Sequence, residues 1–245
     1  MNKLSNLTNG VAVANQSGAM EQRNHFKNGD SPKIHRSRAN FFSYFIAIAF
    51  AVSTAFSSCG GGGNKMIMKA ETDRMSFKMV GFGNATIDWG DGVCETHEIG
   101  NDSWFSHKYT GISVRTVTIN GKNITELHCG DNRLTSLDIS KNTALECLLC
   151  HYNQLTNLDL SKNSSLRELH CDNNQLTSLN VSKNNTAFNY MYCNNNKLTD
   201  SALDAFFRAL PKNTGKNFLI INDNPGVESC DKSIATNKGW SFSRE

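Results

Sequence analysis

The sequence predicts a mainly β fold with a small α/β cap, in which a solenoid is preceded by a small β-sandwich-like domain. Three observations predict it. A phrase of 21 residues is written three times in phase, over 124–144, 145–165 and 166–186, each copy close to L-x-x-L-x-C-x-x-N-x-L-T-x-L-D-x-S-K-N-x-x. Ahead of it, apolar and polar residues alternate between Gly-Asp and Gly-Asn punctuation, the pattern of half-buried strands. Beyond Thr199 the apolar spacing becomes helical until Pro211 stops it. A repeat this short cannot bury its own apolar side chains, so the copies must stack into one continuous core.

Five segments follow from these shifts in pattern: 1–58 as leader and signal peptide, 59–64 as flexible tether, 65–122 as β-domain, 123–199 as repeats and 200–245 as cap. Of 25 Lys and Arg and 22 Asp and Glu, six basic and two acidic residues precede Cys59, leaving 19 against 20 in the remainder. That near-neutral balance gives no electrostatic footprint for nucleic acid. Lys33, Arg36 and Arg38 flank an apolar stretch over 41–56, shorter than the roughly 20 residues of a spanning helix. Phe56-Ser57-Ser58-Cys59 resembles the lipobox of bacterial lipoproteins, with Phe where Leu is usual. The resemblance implies a lipidated Cys59, secretion through a lipoprotein signal, and residence at the outer membrane or cell surface. An uncleaved signal anchor is the alternative. The run from Gly60 to Gly63 reads as a tether, since it lacks the G-x-x-x-x-G-K-[ST] of a phosphate loop.

Within 65–122, strands are expected over 75–80, 85–89 and 114–119. The phrase Ile87-Asp88-Trp89-Gly90-Asp91-Gly92, followed by His107 and Tyr109, resembles the PKD-like β-sandwich family of bacterial surface proteins over about fifty residues. Asp88 and Asp91 have the oxygen donors of a calcium site or an acid/base pair. Asp beside Gly is also turn chemistry, and that reading is preferred, with Trp89, His107 and Tyr109 as packing.

The repeats resemble the 21-residue bacterial class of the leucine-rich repeat superfamily, with a half-repeat over 114–122 leading in and a fourth copy over 188–199 after a one-residue insertion. Each column of the stack has one job. Ile124, Leu145, Leu166 and Phe188 point inward, as do Leu127, Leu148, Leu169 and Met191, and then Leu134, Leu155, Leu176 and Leu198. Asn132, Asn153, Asn174 and Asn196 are placed to bond the backbone where it turns, and Asn142, Asn163 and Asn184 form a second such column. Cys129, Cys150, Cys171 and Cys193 take the inward place that Ile139, Leu160 and Val181 hold in the other half-repeat. Strand spacing of roughly 4.8 Å with parallel Cβ vectors suits free thiols better than disulfides.

Alternate residues face outward, which sets aside Glu126, His128, Cys147, Leu149, Glu168, His170, Tyr190 and Tyr192, with Asp131, His151, Tyr152 and Asp172 just beyond. This set varies between copies while the inward columns do not. The family resemblance implies that this sheet face carries the ligand, and three tyrosines add the amphipathic area favoured at interfaces. His128 and His170 lie two coils apart, too far to share an ion, so no metal or cofactor is expected. Lys141, Lys162 and Lys183 read as a solvated stripe offset by Asp138 and Asp159.

In the cap, Asp200 is expected to start a helix, 218–221 to be a buried strand, 222–226 a turn and 230–238 a short helix, with Trp240 and Phe242 as plug. Cys230 is left free to pair with Cys94 or Cys147. The functional expectation is a monomeric, non-catalytic envelope protein that binds a protein or glycan at the cell surface and the membrane through its lipid. A purely structural envelope module is one alternative. A thiol oxidoreductase using Cys147 and Cys150 is the other, although that pair lies along a strand rather than at a helix start.

Overall fold

The computed structural model describes residues 64–183, 185, 188–212 and 217–243; Cys59 and the leader lie outside them. The chain is mainly β, organised around one large mixed sheet. Four antiparallel strands open it: β1 (Lys65–Gly81), β2 (Gly83–Asp88), β3 (Cys94–Ile99) and β4 (Ser103–Gly121). The first 21-residue copy supplies β5 (Ile124–His128) and β6 (Leu134–Asp138), and the second β7 (Cys147–Leu149) and β8 (Leu158–Leu160). The third supplies β9 (Glu168–His170) and β10 (Leu179–Val181), and the partial fourth β11 (Tyr190–Tyr192). Then come helix α1 (Asp200–Ala209), β12 (Asn217–Ile220), helix α2 (Ser233–Thr236) and β13 (Trp240–Phe242).

Strands β5, β7, β9 and β11 run parallel, and β12 and β13 continue them in the same direction. Glu126 pairs with Cys147, Cys147 with Glu168 and Glu168 with Tyr190, so equivalent positions of successive copies lie side by side. On the opposite side β8 and β10 pair in a second, two-stranded sheet. All twelve leucine-type positions of the three inward columns are buried, as are Ile139, Leu160 and Val181. Each such side chain contributes about 1.5–3 kcal/mol on burial.

The first four strands do not form a sandwich of two separate sheets. Strand β1 pairs with β4 along one edge and with β5 and β6 along the other, so these strands belong to the same sheet as the repeats and no break falls at 122/123. A register shift between Thr72 and Arg74 interrupts β1, as a β-bulge does when it bends a strand. Trp89, which follows β2 opposite one end of β4, stacks on His107 near the other end at 5.0 Å and meets Phe77 at 5.5 Å. The long strands are therefore folded over a shared core of Phe77, Trp89 and Phe105. Residues 114–122 are not a leading half-repeat either: 113–120 pair antiparallel with β1, and Val114 is exposed. Asp88 and Asp91 do close a turn, accepting from the Gly90 and Val93 amides at 3.0 and 3.2 Å.

An asparagine ladder fixes the corner that follows each strand of the large sheet. Asn153 Nδ2 donates to the Cys129 and Cys150 carbonyls, both at 3.0 Å, while its Oδ1 accepts from the Asn132 and Leu134 amides. Asn174 and Asn196 repeat the pattern one and two coils on. Asn132 bonds Ser76 of β1 through both its side-chain atoms, which ties the first rung to the opening strands. Asn224 adds a fifth rung in the cap, bonding the Cys193 and Ile221 carbonyls. In the second column Asn163 bonds Ile139 and Asn142, but Asn184 lies outside the described residues and Asn185 is the buried member, donating to Leu166 O at 2.7 Å. The extra residue of the fourth copy thus falls before 185.

The cap departs from expectation in three places. Thr199 is the N-cap of α1, accepting from Ala202 N, and Asp200 sits in the first turn. Helix α2 covers four residues rather than nine. Phe218 faces out at 37 % exposure, although the surrounding strand is buried. Leu203, Phe206 and Phe207 do close the core end. Cys147 and Cys230 are free thiols, so neither pairing considered for Cys230 occurs. Among the described residues no helix is long and apolar enough to cross a membrane.

Candidate functional site

The parallel register builds a face from short strands whose middle residue is buried. In β7, β9 and β11 the centre is Leu148, Leu169 and Met191, so Cys147, Leu149, Glu168, His170, Tyr190 and Tyr192 are turned outward. Glu126 and His128 of β5 join them, and Asp131, His151, Tyr152 and Asp172 continue the face past the strand ends. Every outward residue expected from the sequence is at least partly exposed. Phe218, which stacks on Tyr190 at 6.1 Å, and Trp104, which lines a shallow hollow with His128, Leu149 and His151, extend the face at its two ends. Neither was expected there.

Polar contacts order the face along and between coils. His128 Nε2 donates to Glu126 at 3.1 Å, and His170 Nε2 donates to Glu168 at 2.8 Å. Tyr192 stacks on His170 with ring centroids 4.1 Å apart, and His151 meets Tyr152 edge-on. The His151 ring lies across the neighbouring coil, where a Cβ at Gly130 would come within 2.8 Å of it. Glycine at that place gives the imidazole its seat.

One residue of the face breaks a local rule. The position before each buried ladder asparagine is left-handed, with φ between 49° and 57°, and is Asp131, Tyr152, Asn173, Asn195 and Asp223 in successive coils. Asp and Asn tolerate that conformation; a tyrosine carries a penalty of about 1 kcal/mol. Tyr152 is also 58 % exposed, so burial does not offset the strain.

No protein-family model, curated protein or solved structure matches the chain. Its residues alone bear on what the face can do.

As a redox pair, Cys147 and Cys150 are badly placed. Cys147 faces outward and Cys150 is fully buried, so the two thiols lie on opposite sides of the sheet. Burial, reinforced by Glu168 and Glu126, pushes the Cys147 thiol up to about 12, and burial also raises Cys150. A nucleophilic thiol needs the opposite shift. Cys129, Cys150, Cys171 and Cys193 are buried free thiols, as their column position implied.

Potential metal ligands also gather on the face. Two groups of three potential ligands come together on it, Glu126 with His128 and Cys147, and His151 with His170 and Asp172. His128 and His170 themselves are kept on strands separated by β7, as the sequence implied.

Proposed function

We propose that the protein is a non-catalytic, lipid-anchored envelope protein, a leucine-rich repeat solenoid that recognises a protein or glycan through the outward face of its coils. The observation that carries this reading is Tyr152, an exposed aromatic at a left-handed position where the other coils place Asp or Asn. Burial does not offset the strain there, and an exposed strained residue of this kind points to function. Tyr190, Tyr192 and Phe218 extend the same aromatic surface, rigid side chains that bury large area at low entropy cost. The basic flank, apolar run and Cys59 of the leader support the anchor.

The test separates folding from recognition. Tyr152→Asn is expected to stabilise the protein by about 1 kcal/mol, read by thermal melting, because it relieves the left-handed strain. Combined with Tyr190→Ser and Tyr192→Ser, it is expected to abolish the hits that the native protein gives on a glycan array or by surface crosslinking. Unchanged hits in the folded triple variant would leave the structural-module reading in place. For the anchor, mass spectrometry of the mature amino terminus is expected to find acylated Cys59. An uncleaved leader, or Cys59 recovered in a disulfide, defeats it.

A further inference from the structure

His151, His170 and Asp172 come from two adjacent coils and two different columns of the outward face. Register places Leu149 opposite His170, and the Tyr152 amide donates to Asp172 O at 3.2 Å, so His151 lies beside Asp172 with His170 near both. One ligand atom of each residue lies within 4.8 Å of the other two. We propose that these three side chains form a surface site for a divalent transition-metal ion of the zinc class, with a fourth coordination position open.

Four features of the site support the assignment. Two imidazoles and a carboxylate are a donor set that suits zinc, which binds nitrogen and carboxylate oxygen at about 2.0–2.2 Å. Modest side-chain adjustment must bring the ligand atoms to roughly 3.4 Å apart, the edge of such a tetrahedron, and all three residues are partly exposed. The His151 Nδ1 atom is buried and has no hydrogen-bond partner, a cost that a ligand would remove. Glu168 holds His170 Nε2 at 2.8 Å, the carboxylate–imidazole arrangement that orients a metal-bound histidine through its other nitrogen. Asn173 donates to Asp172 Oδ2 at 2.7 Å and fixes the third ligand in the same way.

The neighbouring group of Glu126, His128 and Cys147 is the weaker competitor. Its thiol must ionise between two carboxylates to bind an ion, and burial already opposes that step. The ion bound at His151, His170 and Asp172 does not depend on partner recognition: a protein that captures no partner can still take up zinc, and one that captures a partner can do so without it.

Calorimetric titration of zinc chloride into the intact, chelator-dialysed protein tests the proposal, with cobalt chloride as a spectroscopic probe. One zinc per chain is expected. His151→Gln and His170→Gln should each weaken binding at least tenfold, Glu168→Gln severalfold or more, and His128→Gln not measurably. Cobalt should give ligand-field bands without a thiolate charge-transfer band, a readout that needs no variant to fold. No saturable zinc binding, affinity unchanged in His151→Gln, or a thiolate band removed by Cys147→Ser would each overturn the site.

Discussion

Asn174→Ala is expected to remove about 2–4 kcal/mol of stability. Its amide donates to the buried Cys150 and Cys171 carbonyls, and its Oδ1 accepts from the buried Leu155 amide. Alanine leaves the Leu155 amide without a partner, at about 1–3 kcal/mol, whereas the Cys150 and Cys171 carbonyls keep Asn153 and Asn196 and lose one bond each, at about 0.5 kcal/mol apiece. Against a typical total of about 5–15 kcal/mol, that loss is a substantial share. Chemical denaturation measures it as a fall in midpoint. The adjacent exposed Gln175→Ala should change little, within about 0.5 kcal/mol. A loss below 1 kcal/mol at Asn174 would mean that the rungs are ornaments of a fold held by its leucines alone.

Gly226→Ala should be as severe, by a steric route. A Cβ at this position would run into the backbone of Thr199 and Asp200, where α1 begins. Backbone cannot turn aside as a side chain can, so the helix must shift and draw Leu203, Phe206 and Phe207 off the end of the core. The Gly226 amide also donates to Leu198 O at 3.0 Å, which pins the turn to the last copy. The cost lies at or above the roughly 3 kcal/mol upper end for overpacking. Hydrogen exchange should show the α1 amides losing protection before the rest, and equal protection in the variant would defeat the prediction.

The inward columns were legible because each position must be apolar in every copy, and a period of 21 exposes them directly. The ladder was legible through Asn174 and its equivalents for the same reason, and its fifth rung could have been found by setting Ile221-Asn222-Asp223-Asn224 against the Cys-x-x-Asn phrase. Partnership of the opening strands was not legible. Alternation in 75–80 is the same whether β1 joins a sheet of its own or lies against β5, because the pleat reports a buried face and not its neighbour. Phe218 was hidden in an unbroken apolar run, which carries no period to say which side chain turns out. Thr199 and Asp200 are both good caps, and sequence alone could not order them.

The outward face divides in the same way. Its membership followed from alternation, but the meeting of His151, His170 and Asp172 depends on how the chain leaves each strand. A left-handed Tyr152 and the empty place at Gly130 put His151 across the join between coils, and neither is written in a strand pattern.

Each ladder asparagine grips the carbonyl of its own coil and that of the coil before it. An interior coil that opens therefore loses both the bond it gives its predecessor and the bond it takes from its successor, whereas the cap end gives up only the first, from Asn224 to the Cys193 carbonyl. Pulled lengthwise, such a protein should come apart like a zip fastener started from its slider, one tooth after another, with the opening strands the last to yield.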